Sequence, residues 1–259
     1  MKCMPSSITV EHNNVRMVFN EEDHSYIDER GRRYTSVTSL VSQGFEAFDS
    51  ERVAKRVALK EGRDWRDIVA EWRETGKMAA SQGTRLHENC EMQIRGKLDC
   101  MHEPKTPYEQ IIFKIAYDEV ARLKSDPHLI KFEPEKLVFS PRLLLAGSID
   151  LLGEYDDGWR IYDWKNIKSL SKCGFNGKCG IIEPTSKIED SNFWHYVLQL
   201  NLYEVILKVE RYIPKEVEVK KTLKCFIQGH LENVEVPSVL DVAKRMVTWH
   251  YEKRMLDGI

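Results

Sequence analysis

No stretch of this 259-residue chain approaches the ~20 consecutive apolar residues that a membrane-crossing helix needs, which excludes a helical membrane protein. The opening Met1-Lys2-Cys3-Met4-Pro5 lacks the apolar core of an export signal, so the expected location is cytoplasmic. Cysteine is scarce. Cys3, Cys90, Cys100, Cys173, Cys179 and Cys225 are too few and too scattered for the disulfide framework of a secreted domain. Cys173 and Cys179 stand wider apart than a zinc-binding pair, with no second pair nearby, and read as free thiols. Charge of one sign is also missing. A net charge of −2 supplies no global basic field, but it leaves room for basic residues gathered around one groove. Repeats, low-complexity tracts and dividing linkers are absent, so residues 1–259 read as a single domain around one core.

What is present falls into two halves. Residues 15–34 read as a hairpin with a Glu29-Arg30-Gly31 turn, and 35–41 lead into a helix. From 47 to about 95 helical patterns dominate, with breaks expected near Gly62 and Gly76. Trp65, Ile68, Val69 and Trp72 recur at helical spacing as a core-facing stripe, and 107–124 forms an amphipathic helix with Ile111, Ile112, Ile115, Val120 and Leu123 inward. From Lys131 the period changes to that of strands: 135–140, 143–155 and 159–164, turned at Ser140-Pro141-Arg142 and Asp157-Gly158. A Gly/Ser/Lys loop over 167–187, a helix over 193–210, a strand over 220–228 and a helix over 237–256 complete the chain. The order predicts an α+β fold.

The chemistry concentrates in Ala146-Gly147-Ser148-Ile149-Asp150 and Asp163-Trp164-Lys165. With Asp157-Gly158 as a two-residue hairpin turn, Asp150 lies across from Lys165 and Asp163 across from Leu152. Alternation then sends Asp150, Asp163 and Lys165 to one face. Two carboxylates and one ammonium on an apolar strand pair are costly unless a divalent cation compensates, and oxygen ligands suit such an ion. A structural ion pair across the hairpin is the weaker alternative, because it leaves charge unbalanced. The Trp164 carbonyl is placed to serve as a further ligand, and Lys165 to orient water or offset charge on a phosphate.

Other candidates have competing readings. His87 and Glu91 share a helix face and could reach one site or form a surface pair; the Gly83-Thr84 start marks a helix beginning at a close approach. Glu135 opens a strand as a third carboxylate, with Glu133 as its competitor. His195, Gln199 and Tyr203 line one helical stripe, facing either the site or water. Lys168, Lys172, Lys178 and Lys187, interleaved with Gly174, Gly177 and Gly180, make an adaptable loop that could follow a phosphate backbone or simply be solvated.

In order along the chain, Gly83-Thr84-Arg85-Leu86-His87 with Glu91, Glu135, Gly147-Ser148-Ile149-Asp150, Asp163-Trp164-Lys165 and Gln199 through Tyr203 resemble the RecB-like branch of the PD-(D/E)xK nuclease superfamily. Ser36-Val37-Thr38 followed by tryptophan-bearing helices looks like the mitochondrial genome maintenance exonucleases and related phage exonucleases. The resemblance implies a restriction-endonuclease-like core with a central mixed β-sheet flanked by helices (83–259), plus an N-terminal hairpin and helical arch (1–82). It implies a hydrolase using one or two Mg²⁺ or Mn²⁺ ions, held by His87, Asp150, Asp163, the Trp164 carbonyl and Glu135, with Lys165 at the water. Gln199, Tyr203, Glu91, Ser36 and Thr38 would support the site or touch DNA. An exonuclease taking single-stranded DNA ends under an arch, in replication, repair or recombination in a bacterial or phage-infected cell, is the expected function. A structure-specific endonuclease, a ring-forming duplex exonuclease and a non-catalytic DNA-binding protein are the alternatives. Some relatives carry an iron–sulfur cluster with cysteines grouped near the C-terminus; Cys225 stands alone there, so none is expected. No helicase phosphate loop (G-x-x-x-x-G-K-S/T) is found, which argues against a fused motor. Asn166 stands where the branch commonly has threonine or serine.

Overall fold

The computed structural model describes residues 7–256, so Cys3 lies outside the described residues. Four short strands open the chain: β1 (Ser7–His12), β2 (Val15–Asn20), β3 (Ser25–Asp28) and β4 (Arg33–Ser36). Asn13 and Asn14 both adopt positive φ, the requirement of the tight turn that joins β1 to β2. The hairpin expected over 15–34 is therefore the last three strands of a four-stranded meander. Asp28 fixes its last turn, accepting from the Arg30 and Arg32 N–H groups, from the Arg32 side chain and from the Tyr34 hydroxyl.

Three helices follow: α1 (Val37–Gln43), α2 (Ser50–Glu61) and α3 (Trp65–Ile94). Gly62 does end α2, in the left-handed conformation of a helix C-cap. Gly76 breaks nothing, and Gly83 starts nothing: α3 runs through both, capped by Asp64 at its far end. A glycine costs a helix only about 1 kcal/mol, too little to interrupt thirty residues that have no competing partner. The Trp65 to Trp72 stripe also departs from expectation. Only Ile68 is fully buried, and the stripe packs α3 against α2 instead of the main core. α4 (Pro107–Lys124) forms where expected, capped by Thr106, but Ile111 points outward, half exposed.

β5 (Leu129–Ser140), β6 (Leu145–Tyr155) and β7 (Gly158–Ile167) make the antiparallel centre of the sheet. α5 (Asn192–Val209), β8 (Val219–Ile227), β9 (His230–Glu235) and α6 (Leu240–Leu256) complete the fold. β9, a short charged edge strand, has almost no apolar signature and escapes sequence reading. The described residues thus form a mixed α+β fold with six α-helices and one nine-stranded mixed sheet. None of these helices is long and apolar enough to cross a membrane.

The topology leaves a gap at one place. β5 pairs with β6 from Leu145 to Tyr155 and so occupies one whole edge of it. β4 and β7 must share the other edge: β4 takes Leu145 and Ala146 in parallel, and β7 takes Leu151 to Tyr155. Gly147-Ser148-Ile149-Asp150 lies between them with no strand neighbour on that side. Beyond Tyr162, β7 leaves β6 and continues along β8 in parallel. One core fills the face under α1, α5 and α6; another lies under α3 and α4, and a third under the N-terminal strands.

Candidate active site

The turn between β6 and β7 is Asp156-Asp157, not Asp157-Gly158. Gly158 instead begins β7, because the Glu218 carbonyl comes within 2.8 Å of where a side chain would start. Paired positions sum to 313, and that register, carried one step past its last pair Leu151–Tyr162, sets Asp150 level with Asp163 and not with Lys165 as expected. The displacement is two residues, which preserves the face. On the other edge, the pairs Pro134–Leu151 and Lys136–Ile149 bracket Glu135 and Asp150 and place them opposite each other. Three carboxylates, Glu135, Asp150 and Asp163, therefore stand level across three strands.

Alternation breaks at this level. Ile149 packs in the core under α5 and Leu151 in the core under α3 and α4, although residues two apart on a strand should share a face. On β5, Val138 and Phe132 divide the same way. The exchange falls on Glu135, whose φ of 47° is left-handed, a conformation a non-glycine residue adopts at a cost of about 1 kcal/mol. Glu133, the competitor, is held by Lys131 at 3.3 Å and Lys136 at 2.6 Å.

α3 brings His87 to the gap. Its Nε2 lies 2.7 Å from the Trp164 carbonyl oxygen. A carbonyl can only accept, so Nε2 carries a proton, and Nδ1 lies 3.4 Å from Asp150 Oδ2. The same Asp150 oxygen accepts from the Trp164 N–H at 2.8 Å. The N–H and C=O of one residue, Trp164, thus orient both side chains, and the Trp164 carbonyl is engaged with His87. One ligand atom each from His87, Glu135 and Asp150 lie within 4.8 Å of one another.

Asp163 takes a different partner. Its Oδ2 is 2.6 Å from Lys165 Nζ, in a nearly dry setting. Burial outweighs Lys165 and pushes the Asp163 carboxyl up to about 6. Burial opposes the Lys165 ammonium, yet Asp163 and Asp150 together hold its pKa above the ordinary lysine value. Glu135 is pushed up to about 8 by burial and the Asp150 charge, against a hydrogen bond of 2.8 Å from the Ser148 hydroxyl. Glu91 is buried beside Arg95 at 2.8 Å and stands outside the triad.

From α5, Gln199 Nε2 lies 3.5 Å from both Asp163 Oδ1 and the Tyr203 hydroxyl. The Tyr203 ring covers Gly147 so closely that a Cβ there would sit 2.8 Å from it, which is why the gap requires glycine. His195 turns away to Asp190 at 3.0 Å and stacks at a tilt on Phe45. Tyr196 takes its place, with the ring centre 5.0 Å from Lys165 Nζ. The spacing 196, 199, 203 is as helical as 195, 199, 203, so the signal for Tyr196 was present in the sequence.

Ser36 caps α1, accepting from the Ser39 N–H, with the Thr38 hydroxyl 3.1 Å away. The lysine loop is less adaptable than its composition suggests. The Ile181 N–H and the Thr185 hydroxyl both donate to the Gly44 carbonyl at 2.8 Å, and the loop is docked on the end of α1. Lys178 pairs with Glu46, Lys172 lies over the Phe193 ring, and Lys168 and Lys187 are exposed. A cleft of about 1290 Å³ between α3, β5 and the N-terminal strands opens at His87, Glu135 and Ser148.

No family model and no curated protein matches this chain. Among solved structures it is similar to a protein from Eubacterium rectale, provisionally described as an exonuclease, at 16% identity over 68% of each chain with a TM-score of 0.40. It is also similar to the protein SSO0001, at 15% identity over 68% of this chain and 88% of that one, with a TM-score of 0.29. Similarities this loose establish neither a shared fold nor a shared activity.

Proposed function

We propose that the chain is a metal-dependent deoxyribonuclease of the PD-(D/E)xK type, hydrolysing phosphodiester bonds at the gap in its sheet. The observation that carries this reading is the meeting of His87, Glu135 and Asp150 within 4.8 Å, beside the Asp163–Lys165 pair. Glu135, Asp150 and Asp163 face a single ammonium, a crowding that holds the Glu135 carboxyl protonated, and a divalent cation is the natural complement that would let all three ionise. Two carboxylates and one imidazole nitrogen suit Mg²⁺ or Mn²⁺, with the imidazole favouring Mn²⁺. Nδ1 of His87 is free to ligate because Nε2 donates to the Trp164 carbonyl, the arrangement that commonly orients metal-binding histidines.

A cation held there would polarise the scissile phosphate and acidify the attacking water. The protein's own part is electrostatic. Lys165 presents an ammonium that stays charged and offsets the negative charge growing on the phosphate oxygens. Asp163 holds that ammonium in place, and Gln199 approaches the second oxygen of Asp163.

Attack on free single-stranded DNA ends in replication, repair or recombination is the specific activity proposed, and comparing linear with closed circular substrates distinguishes it from endonuclease action. The decisive assay incubates DNA with the protein and Mg²⁺, repeats it with EDTA, and repeats it with Asp163→Ala. Degradation only in the first arm is expected. Equal loss of DNA in all three arms discards the enzymatic reading.

A further inference from the structure

We propose that Tyr196 is a positioning residue for Lys165, holding its ammonium over the aromatic ring so that it faces the phosphate side of the gap. This rests on the reading of Lys165 as the residue that meets the reacting phosphate. Lys165 leaves β7 beyond its last pair with β6, beside the gap, on a four-carbon stem with many rotamers. Two contacts hold its charged end: Asp163 Oδ2 at 2.6 Å and the Tyr196 ring centre at 5.0 Å. They act differently. The carboxylate binds the ammonium from its own strand, and taken alone it could draw the lysine flat against the floor of the site. The ring supplies a second surface from α5 and confines the amine between helix and sheet, where an aromatic face attracts a cation.

Tyr196 is itself braced. It packs against the core under α5, three residues before Gln199 and seven before Tyr203, so one helix face carries the groups that address Asp163, Lys165 and Gly147. Its hydroxyl has no hydrogen-bond partner among the described residues, so the ring and not the hydroxyl is what the geometry uses. Phenylalanine should therefore serve and an aliphatic residue should not.

The test has a readout that does not depend on activity. In the wild-type protein the ε-methylene protons of Lys165, assigned by NMR against a Lys165→Arg variant, should be shifted upfield by the ring. Tyr196→Phe should keep that shift and Tyr196→Leu should lose it. In the Mg²⁺ nuclease assay, Tyr196→Phe should stay within about twofold of wild type, while Tyr196→Leu should lower kcat about tenfold with KM and Mn²⁺ affinity unchanged. Unshifted Lys165 protons in the wild-type protein overturn the proposal whether or not the protein cleaves DNA. Equal kcat losses in the Phe and Leu variants also overturn it, because they would assign the role to the hydroxyl. A wild-type protein that shows the shift but degrades nothing would sink the nuclease reading and leave this contact standing.

Discussion

At the scale of single residues, the division of labour between Asp163 and Asp150 is the sharpest consequence of the geometry. Lys165→Ala removes the group that offsets charge on the phosphate without touching the triad. It should lower kcat by at least a hundredfold while Mn²⁺ affinity, measured by calorimetry, changes little. Glu135 makes a separate prediction about stability. A carboxyl whose folded pKa is raised to about 8 favours folding below its unfolded value near 4.5, and that contribution is lost as pH rises through 8. Urea unfolding in EDTA should therefore show wild-type stability falling by on the order of 3 kcal/mol more than that of Glu135→Gln between pH 5 and 8.5. An equal slope in both proteins would remove Glu135 as the source. Asp150, Asp163 and Lys165 were legible in the sequence as acids and a lysine gathered on two adjoining apolar strands, although the register between those strands lies two residues from the one expected. Glu135 against Glu133 was not legible: a left-handed φ at one residue inverts the alternation, and no residue type announces it. His195 was preferred to Tyr196 by chemical habit, although both fit the helical period.

At the scale of elements, α3 links the exposed pair it forms with α2 to the proposed ligand His87 in one uninterrupted helix. Gly76 sits in it with helical geometry and open space around its missing side chain. Gly76→Ala should therefore stabilise the protein, by about 0.5–1 kcal/mol, read as a raised thermal midpoint with activity unchanged. Gly147→Ala should do the reverse, losing about 1–3 kcal/mol as the Tyr203 ring is displaced. A combined Gly147→Ala/Tyr203→Leu protein should recover part of the loss, and full additivity of the two would show that the ring does not constrain Gly147. Elements with strong periodicity were readable to the residue, as α4 shows with its Thr106 cap and Pro107 start. The expected break at Gly76 and start at Gly83 were misread because glycine is a weak stop signal unless the chain has somewhere else to go. β9 was missed since an exposed edge strand needs no apolar face.

At the scale of the whole molecule, the proposed function follows from one topological feature: two strands share a single edge of β6 and, among the described residues, leave four residues of it unpaired. Alternating patterns predicted the β5–β6–β7 meander, but the parallel partners of β6 and β7 come from segments more than fifty residues away, and local pattern cannot supply them. The lysine loop also changes meaning once it is docked. Among the described residues Lys168 and Lys172 have no carboxylate partner, whereas Lys178 is already paired with Glu46. Replacing Lys168 and Lys172 with glutamine should flatten the salt dependence of DNA binding, by about 1.5 in the log–log slope, and Lys178→Gln should barely alter it. An unchanged slope in the double variant would return the loop to a structural role.

The proposed chemistry requires a cation between His87, Glu135 and Asp150, and calorimetric titration of Mn²⁺ into the protein at neutral pH tests for it without any assumption about substrate. Saturable binding to the wild-type protein, abolished by Asp150→Asn in a variant that keeps its fold by circular dichroism, is the predicted result. No binding to wild type, or undiminished binding to Asp150→Asn, would contradict it.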